Sequence, residues 1–171
     1  MLLMIPISAI IAPILINFLH NVFTALWIGG MLTLAFTVLP AMRKVLGKSK
    51  ETQVLNSMIK KKLSLLTYIS IIGLIVTGLL MSNRSVLSGL STGFLSFGNE
   101  YSTLMSIKHL LYFVMVFLSL FRSQGVDRIK KFTPEQKQKL NMLTLLLNIL
   151  AGLAVLFLSS YVSVLAALPT P

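Results

Sequence analysis

No charged side chain occurs between Met1 and Met42, and that run limits the fold more than any other feature of the chain. About 20 helical residues cross the hydrocarbon of a bilayer, so the run exceeds one span and suffices for a span with a lead-in. Pro6 and Pro13 mark where it divides. Residues 1–13 read as an outer or interfacial lead-in, and 14–41 as the first transmembrane helix, TM1. TM1 should end near Pro40, whose ring and missing N–H oppose further helix. A secretory signal would open with basic residues, and Met-Leu-Leu-Met-Ile-Pro has none.

Three further apolar runs follow. TM2 covers about 63–82, directly after Lys60-Lys61-Lys62; TM3 covers about 103–121, stopped by Arg122; TM4 covers about 140–168, stopped by Pro169. Hydrophobic residues make up 56% of the chain and charged residues 11%. A water-soluble domain of that make-up would display apolar patches large enough to aggregate, whereas lipid as solvent removes the difficulty. The expected fold is therefore all-α, a single integral membrane domain over 1–171 built as a four-helix up-down bundle. TM1 and TM4 exceed the bilayer thickness and should tilt or protrude.

The net charge of +11 would suit a nucleic-acid binder, but its distribution argues otherwise. Thirteen of the fifteen basic residues lie in 43–62 and 122–139, each between apolar runs. Basic segments flanking spans mark the cytoplasmic side. The 83–102 segment carries only Arg84 and Glu100, with Gly89, Gly93 and Gly98 and the aromatics Phe94, Phe97 and Tyr101. It becomes the outer loop, folded over the bundle mouth or solvated, and both termini lie outside (N-out/C-out). The expected location is the plasma membrane, multi-pass, with the lipid bilayer as the main partner and no nucleic acid. The basic segments then lie against anionic headgroups. A homo-oligomer is compatible with the sequence. The lack of cysteine excludes disulfides, thiolate metal sites and a cysteine nucleophile.

The candidate chemistry rests on two histidines, His20 in TM1 and His109 in TM3. Ionisable groups in spans commonly face a cavity, a partner or a cofactor, although a membrane histidine also serves simply as an interhelical hydrogen-bonding group. In an up-down bundle TM1 and TM3 are parallel and diagonal, so the two imidazoles can face one another across the centre. One haem b takes two axial histidines, and glycines at 29, 30, 73, 78 and 152 could make room for the ring. Counting from Pro40 and Arg122 places both histidines in the outer half, with His20 the farther out. Lys108 could snorkel to water or pair with a haem propionate, as could Arg84 at the outer end of TM2. Trp27 and Tyr112, seven and three residues beyond the two histidines, are ring contacts or packing. Copper is the alternative metal: Cu(I) favours thioether and imidazole, and Met31, Met81, Met105 and Met115 lie in or near spans. Methionine also fills apolar helices without any metal.

The segment His20-Asn21-Val22-Phe23-Thr24-Ala25-Leu26-Trp27-Ile28-Gly29-Gly30 resembles the first-helix motif of the CopD-like membrane proteins, and Val38-Leu39-Pro40 fits the same pattern. Thr77-Gly78-Leu79 is similar to the second helix of that family and Ile107-Lys108-His109 to its third, so the likeness covers most of residues 16–120. The resemblance implies either copper handling or a relation to haem-binding four-helix membrane proteins. The latter include small b-type cytochromes and HemJ-type protoporphyrinogen oxidases, with which His20 and Lys108 would be shared positions. The chain is a minimal bundle without a periplasmic copper-binding domain, which weighs against copper import. Within the chain, Ile-Ile-Gly-Leu-Ile-Val (71–76) and Leu-Ala-Gly-Leu-Ala-Val (150–155) suggest two similar halves, each a histidine helix, a basic segment and a glycine helix. The function expected from these residues is a membrane b-type haem protein, with His20 and His109 as ligands to one haem. It would transfer single electrons at the outer face, with quinone or another small redox partner. The alternatives are a copper-handling permease and HemJ-like porphyrinogen oxidation.

Overall fold

The computed structural model describes residues 7–47, 49–87, 97–98, 100–129 and 131–167, with the side chains of 7–9, 82–87, 127 and 166–167 left aside. The described residues are helical throughout apart from short turns. The elements are α1 (Ile7–Thr33), α2 (Leu39–Leu46), α3 (Lys50–Leu87), α4 (Glu100–Leu120), α5 (Val126–Arg128) and α6 (Pro134–Ala167), with π-helical turns at Leu34–Val38 and Phe121–Gly125. Four stretches are long and apolar enough to cross a membrane: Ile10–Leu46, Lys50–Met81, Glu100–Gly125 and Pro134–Leu165. The expected all-α four-helix architecture is present.

Helix ends lie farther out than the apolar runs suggest. α1 begins at Ile7 and passes through Pro13. The first span continues past Pro40 to Leu46, because the π-helical turn at Leu34–Val38 widens the backbone just ahead of the proline. Gly47 closes it in the left-handed region at φ 60°, where a Cβ would be strained, and donates its N–H to the Arg43 carbonyl at 3.2 Å. Ser49 then caps α3 by accepting the Thr52 N–H at 3.2 Å. At α6 the capping is reciprocal: the Gln136 N–H donates to Thr133 Oγ1 at 3.3 Å, and the Thr133 N–H to Gln136 Oε1 at 2.9 Å. Pro134 needs no N–H partner in that first turn. The two basic segments are thus mostly helix rather than loop. α3 has 38 residues, about 57 Å at 1.5 Å per residue, so its Lys50–Lys62 portion extends beyond an apolar layer about 30 Å thick. The middle of the expected outer loop, 88–96, and the chain end at 168–171 lie outside the described residues.

The helices pair as two hairpins. α1 packs along α3 and α4 along α6, while α1 with α6 and α3 with α4 meet over fewer residues. Among the described residues α1 and α4 make no backbone approach within 8 Å, and neither do α3 and α6, so both pairs are diagonal. Small residues set the close approaches. A Cβ at Gly73 would lie 2.4 Å from the Phe23 ring, and one at Gly152 would lie 3.2 Å from both Ile28 and Met115. The core consists of Trp27, Met31, Leu34, Leu74, Met115 and Leu145 with their neighbours. Large apolar side chains such as Phe18, Ile72, Phe117 and Phe157 point outward. An aqueous surface of that kind would aggregate, and a lipid-facing one is ordinary.

Candidate functional site

His20 is half-buried on α1, on the side that faces α3. Its Nδ1 lies 2.9 Å from Thr77 Oγ1. The Thr77 hydroxyl is itself 2.7 Å from the Gly73 carbonyl, which can only accept. A hydroxyl has one proton, so when Thr77 donates to Gly73 it accepts from His20. In that arrangement the neutral imidazole is the Nδ1–H tautomer, with an unprotonated Nε2. A histidine that ligates a metal commonly has its other nitrogen held by an acceptor in this way. Thr77 entered the sequence reading only as part of a helix pattern, because a threonine in an apolar helix gives no sign of the helix it faces.

The second histidine is half-buried on α4, diagonal to α1. The Trp27 and Tyr112 rings fix the relative height of these helices, meeting edge to face with centroids 5.7 Å apart. His20 precedes Trp27 by seven residues and His109 precedes Tyr112 by three, so along parallel helices His20 lies about 6 Å farther from that contact. The discrepancy is four residues, against seven when the count starts from Pro40 and Arg122. Tyr112 also donates its hydroxyl to the Ile71 carbonyl at 3.2 Å, tying the third span to the second. Lys108, next to His109, is partly buried. Three sequence candidates, His20, Lys108 and His109, thus lie on one side of the Trp27–Tyr112 layer. The side chain of the fourth, Arg84, lies outside the described residues.

Two imidazoles on diagonal helices are the donor type that axial haem ligation uses, and the glycines expected to leave room differ in what faces them. Gly73 and Gly152, two of the glycines expected to leave room, are filled by Phe23 and by Ile28 with Met115; Gly29 and Gly78 face nothing within 4 Å. The α1 and α4 backbones stay more than 8 Å apart along the seam of the two hairpins, and the Trp27 and Tyr112 rings meet across it. Trp27 Nε1 and Ser70 Oγ are buried without hydrogen-bond partners among the described residues. The methionines considered for copper are dispersed. Met31 and Met115 are core residues, Met81 is exposed and Met105 is half-buried on α4.

A second polar site lies at the opposite end, where the basic residues cluster. A partly enclosed cavity of about 60 Å³ is lined by Arg43, Asn56, Lys60, Arg122, Gln138 and Asn141 over an apolar floor that includes Leu34 and Leu145. Read from sequence, Arg122 merely ends an apolar run; in the structure it is buried at 7% exposure. The π-helical turn that carries it has no counterpart in the hydropathy pattern. No family model matches this chain, and no curated protein or solved structure matches it either.

Proposed function

We propose that this chain is a b-type haem protein of the plasma membrane, with His20 and His109 as axial ligands and electron transfer as its role. The observation that carries the reading is the Thr77–His20 hydrogen bond, which, with Thr77 donating to Gly73, leaves Nε2 of His20 free of a proton on the side of the Trp27–Tyr112 layer that also holds His109 and Lys108. Haem supplies one-electron chemistry when bound. The protein's part is to orient His20 through Thr77 and to present His109 from the diagonal helix. Lys108 offers a cation to a propionate, and the Trp27–Tyr112 contact closes the site toward the basic end. With the basic end in the cytoplasm, this site lies toward the outer face, where quinone or a small soluble carrier can exchange electrons.

The test is the visible spectrum of the protein purified in mild detergent. A sharp Soret band with reducible alpha and beta bands is expected. Each of His20→Ala and His109→Ala should abolish the low-spin signature, and the double variant should add little, because both act on one centre. A colourless protein, or a wild-type spectrum in His109→Ala, would sink the reading. Orientation is tested separately by cysteine labelling in intact cells: Glu100→Cys should react with an impermeant reagent and Ser49→Cys should not. The placement of Lys108 on the same side of the Trp27–Tyr112 layer as His20 also suits a second reading, HemJ-like porphyrinogen oxidation. That reading predicts oxidation of added protoporphyrinogen, lost in Lys108→Met with the haem spectrum intact.

A further inference from the structure

We propose that the cavity at the basic end is a binding site for a phosphate group, delivered by the headgroup of an anionic phospholipid. Three cationic side chains from three helices line it, Arg43 from α2, Lys60 from α3 and Arg122 from the π-helical turn after α4. Asn56, Gln138 and Asn141 add amides, and among the described residues no carboxylate lines the cavity. Arg122 is 7% exposed and has neither an ion pair nor a hydrogen bond among the described residues. Asn141 Oδ1 is likewise buried without a partner.

A buried guanidinium without an anion carries a large desolvation cost. Protein groups could have relieved it, since the neighbouring turns are well satisfied. The Tyr68 hydroxyl bonds Ser123 Oγ, and Gln124 Nε2 donates to Tyr68 at 3.2 Å. Arg122, which lines the cavity, is left for a ligand. Tetrahedral oxyanions match this set: guanidinium and ammonium neutralise the charge, amide N–H groups add donors, and an Asn carbonyl accepts from a headgroup hydroxyl. A cavity of about 60 Å³ takes one compact oxyanion and excludes a nucleotide or a porphyrin.

The lipid source follows from position and lining. The site opens where the helices leave the apolar layer, at the level of headgroups, and Leu39 and Met142 line it beside the cations. Basic pockets between spans recruit anionic headgroups in this way. Both π-helical turns border the cavity, through Leu34 and Arg122. Such turns reposition a side chain without ending the helix and recur at functional sites. This site is at the opposite end from the histidines and does not depend on the haem reading.

The experiment uses the full chain in mild detergent, with thermal unfolding and native mass spectrometry as readouts. Phosphatidylglycerol, phosphatidylcholine and inorganic phosphate are titrated separately. Phosphatidylglycerol should raise the melting temperature saturably and remain bound, more weakly at high salt; phosphatidylcholine should do neither. Arg122→Met should weaken that response by about tenfold or more, since a charge-assisted contact is lost, and Lys60→Gln should weaken it less. Lys44→Gln, outside the cavity lining, should respond as the wild type. If inorganic phosphate alone gives the whole effect, the lipid source is overturned and a free-phosphate site replaces it. A wild-type lipid response in both Arg122→Met and Lys60→Gln, or no response of the wild type to any of the three, overturns the site itself.

Discussion

The two ends of the bundle treat their buried polar groups in opposite ways. Toward the end that carries His20, the imidazole is held by Thr77, and Thr77 is satisfied in turn by the Gly73 carbonyl. Toward the basic end, Arg122 is more fully buried than His20 and has no partner among the described residues. A satisfied chain of hydrogen bonds fixes a side chain in one tautomer and one direction, which is what a metal ligand needs. An unsatisfied buried cation costs stability until an anion arrives, which is what a binding site for a charged group needs. The same apolar scaffold therefore holds one preset site and one waiting site.

The comparison breaks most visibly at the preset end. His20→Ala should eliminate the low-spin haem spectrum altogether while far-ultraviolet circular dichroism stays helical, because lipid-facing and core packing do not use the imidazole. A helical protein that retains the spectrum would remove the preset site.

The sign of the stability change separates the ends next. Gly73→Ala would place a Cβ 2.4 Å from the Phe23 ring, and overpacking of this kind costs about 1–3 kcal/mol. Thermal unfolding in detergent should show a clear loss, partly recovered in Gly73→Ala/Phe23→Leu. Arg122→Met should move the other way in lipid-free detergent, gaining about 1 kcal/mol or more as an uncompensated charge becomes an apolar side chain. A loss of stability in Arg122→Met would mean that Arg122 is already satisfied, and the contrast between the ends would disappear.

Thr77→Val sharpens the preset end. The shape is kept and the acceptor for His20 is removed, so stability should change little. Loss of such an outer-shell partner typically weakens metal binding about 10–100-fold, read as faster haem loss to apomyoglobin and a shifted midpoint potential. An unchanged off-rate and potential would reduce Thr77 to a packing residue.

The smallest effect belongs between the ends. Asn148 is fully buried on α6 and donates to the Met115 carbonyl at 3.1 Å and to Ser119 Oγ at 2.7 Å. Interhelical hydrogen bonds in membranes average about 0.6 kcal/mol, so Asn148→Leu should cost about that much. A several-fold larger loss would make this contact, rather than apolar packing, the hinge of the second hairpin.

Much of this architecture was legible in the chain itself. Apolar runs of near-bilayer length separated by basic segments permit little besides helices crossing lipid, since backbone polar groups in hydrocarbon must be satisfied within the helix. The Thr133/Gln136 capping pair and Gly47 are local signals, but they set a helix start and stop about six residues beyond the bounds that the apolar runs suggest, near 140 and 41. His20, His109 and Lys108 stand out because so few ionisable groups lie in the spans. Partnership between helices was not legible. Hydropathy records how apolar a residue is and not which neighbour it meets, so Thr77 facing His20, Phe23 filling Gly73 and Trp27 meeting Tyr112 are decided only when the hairpins pack. The placement of Arg122 has the same origin. An arginine after an apolar run looks like the end of a span, and only the π-helical turn and the packing of four helices around it enclose that side chain in a cavity.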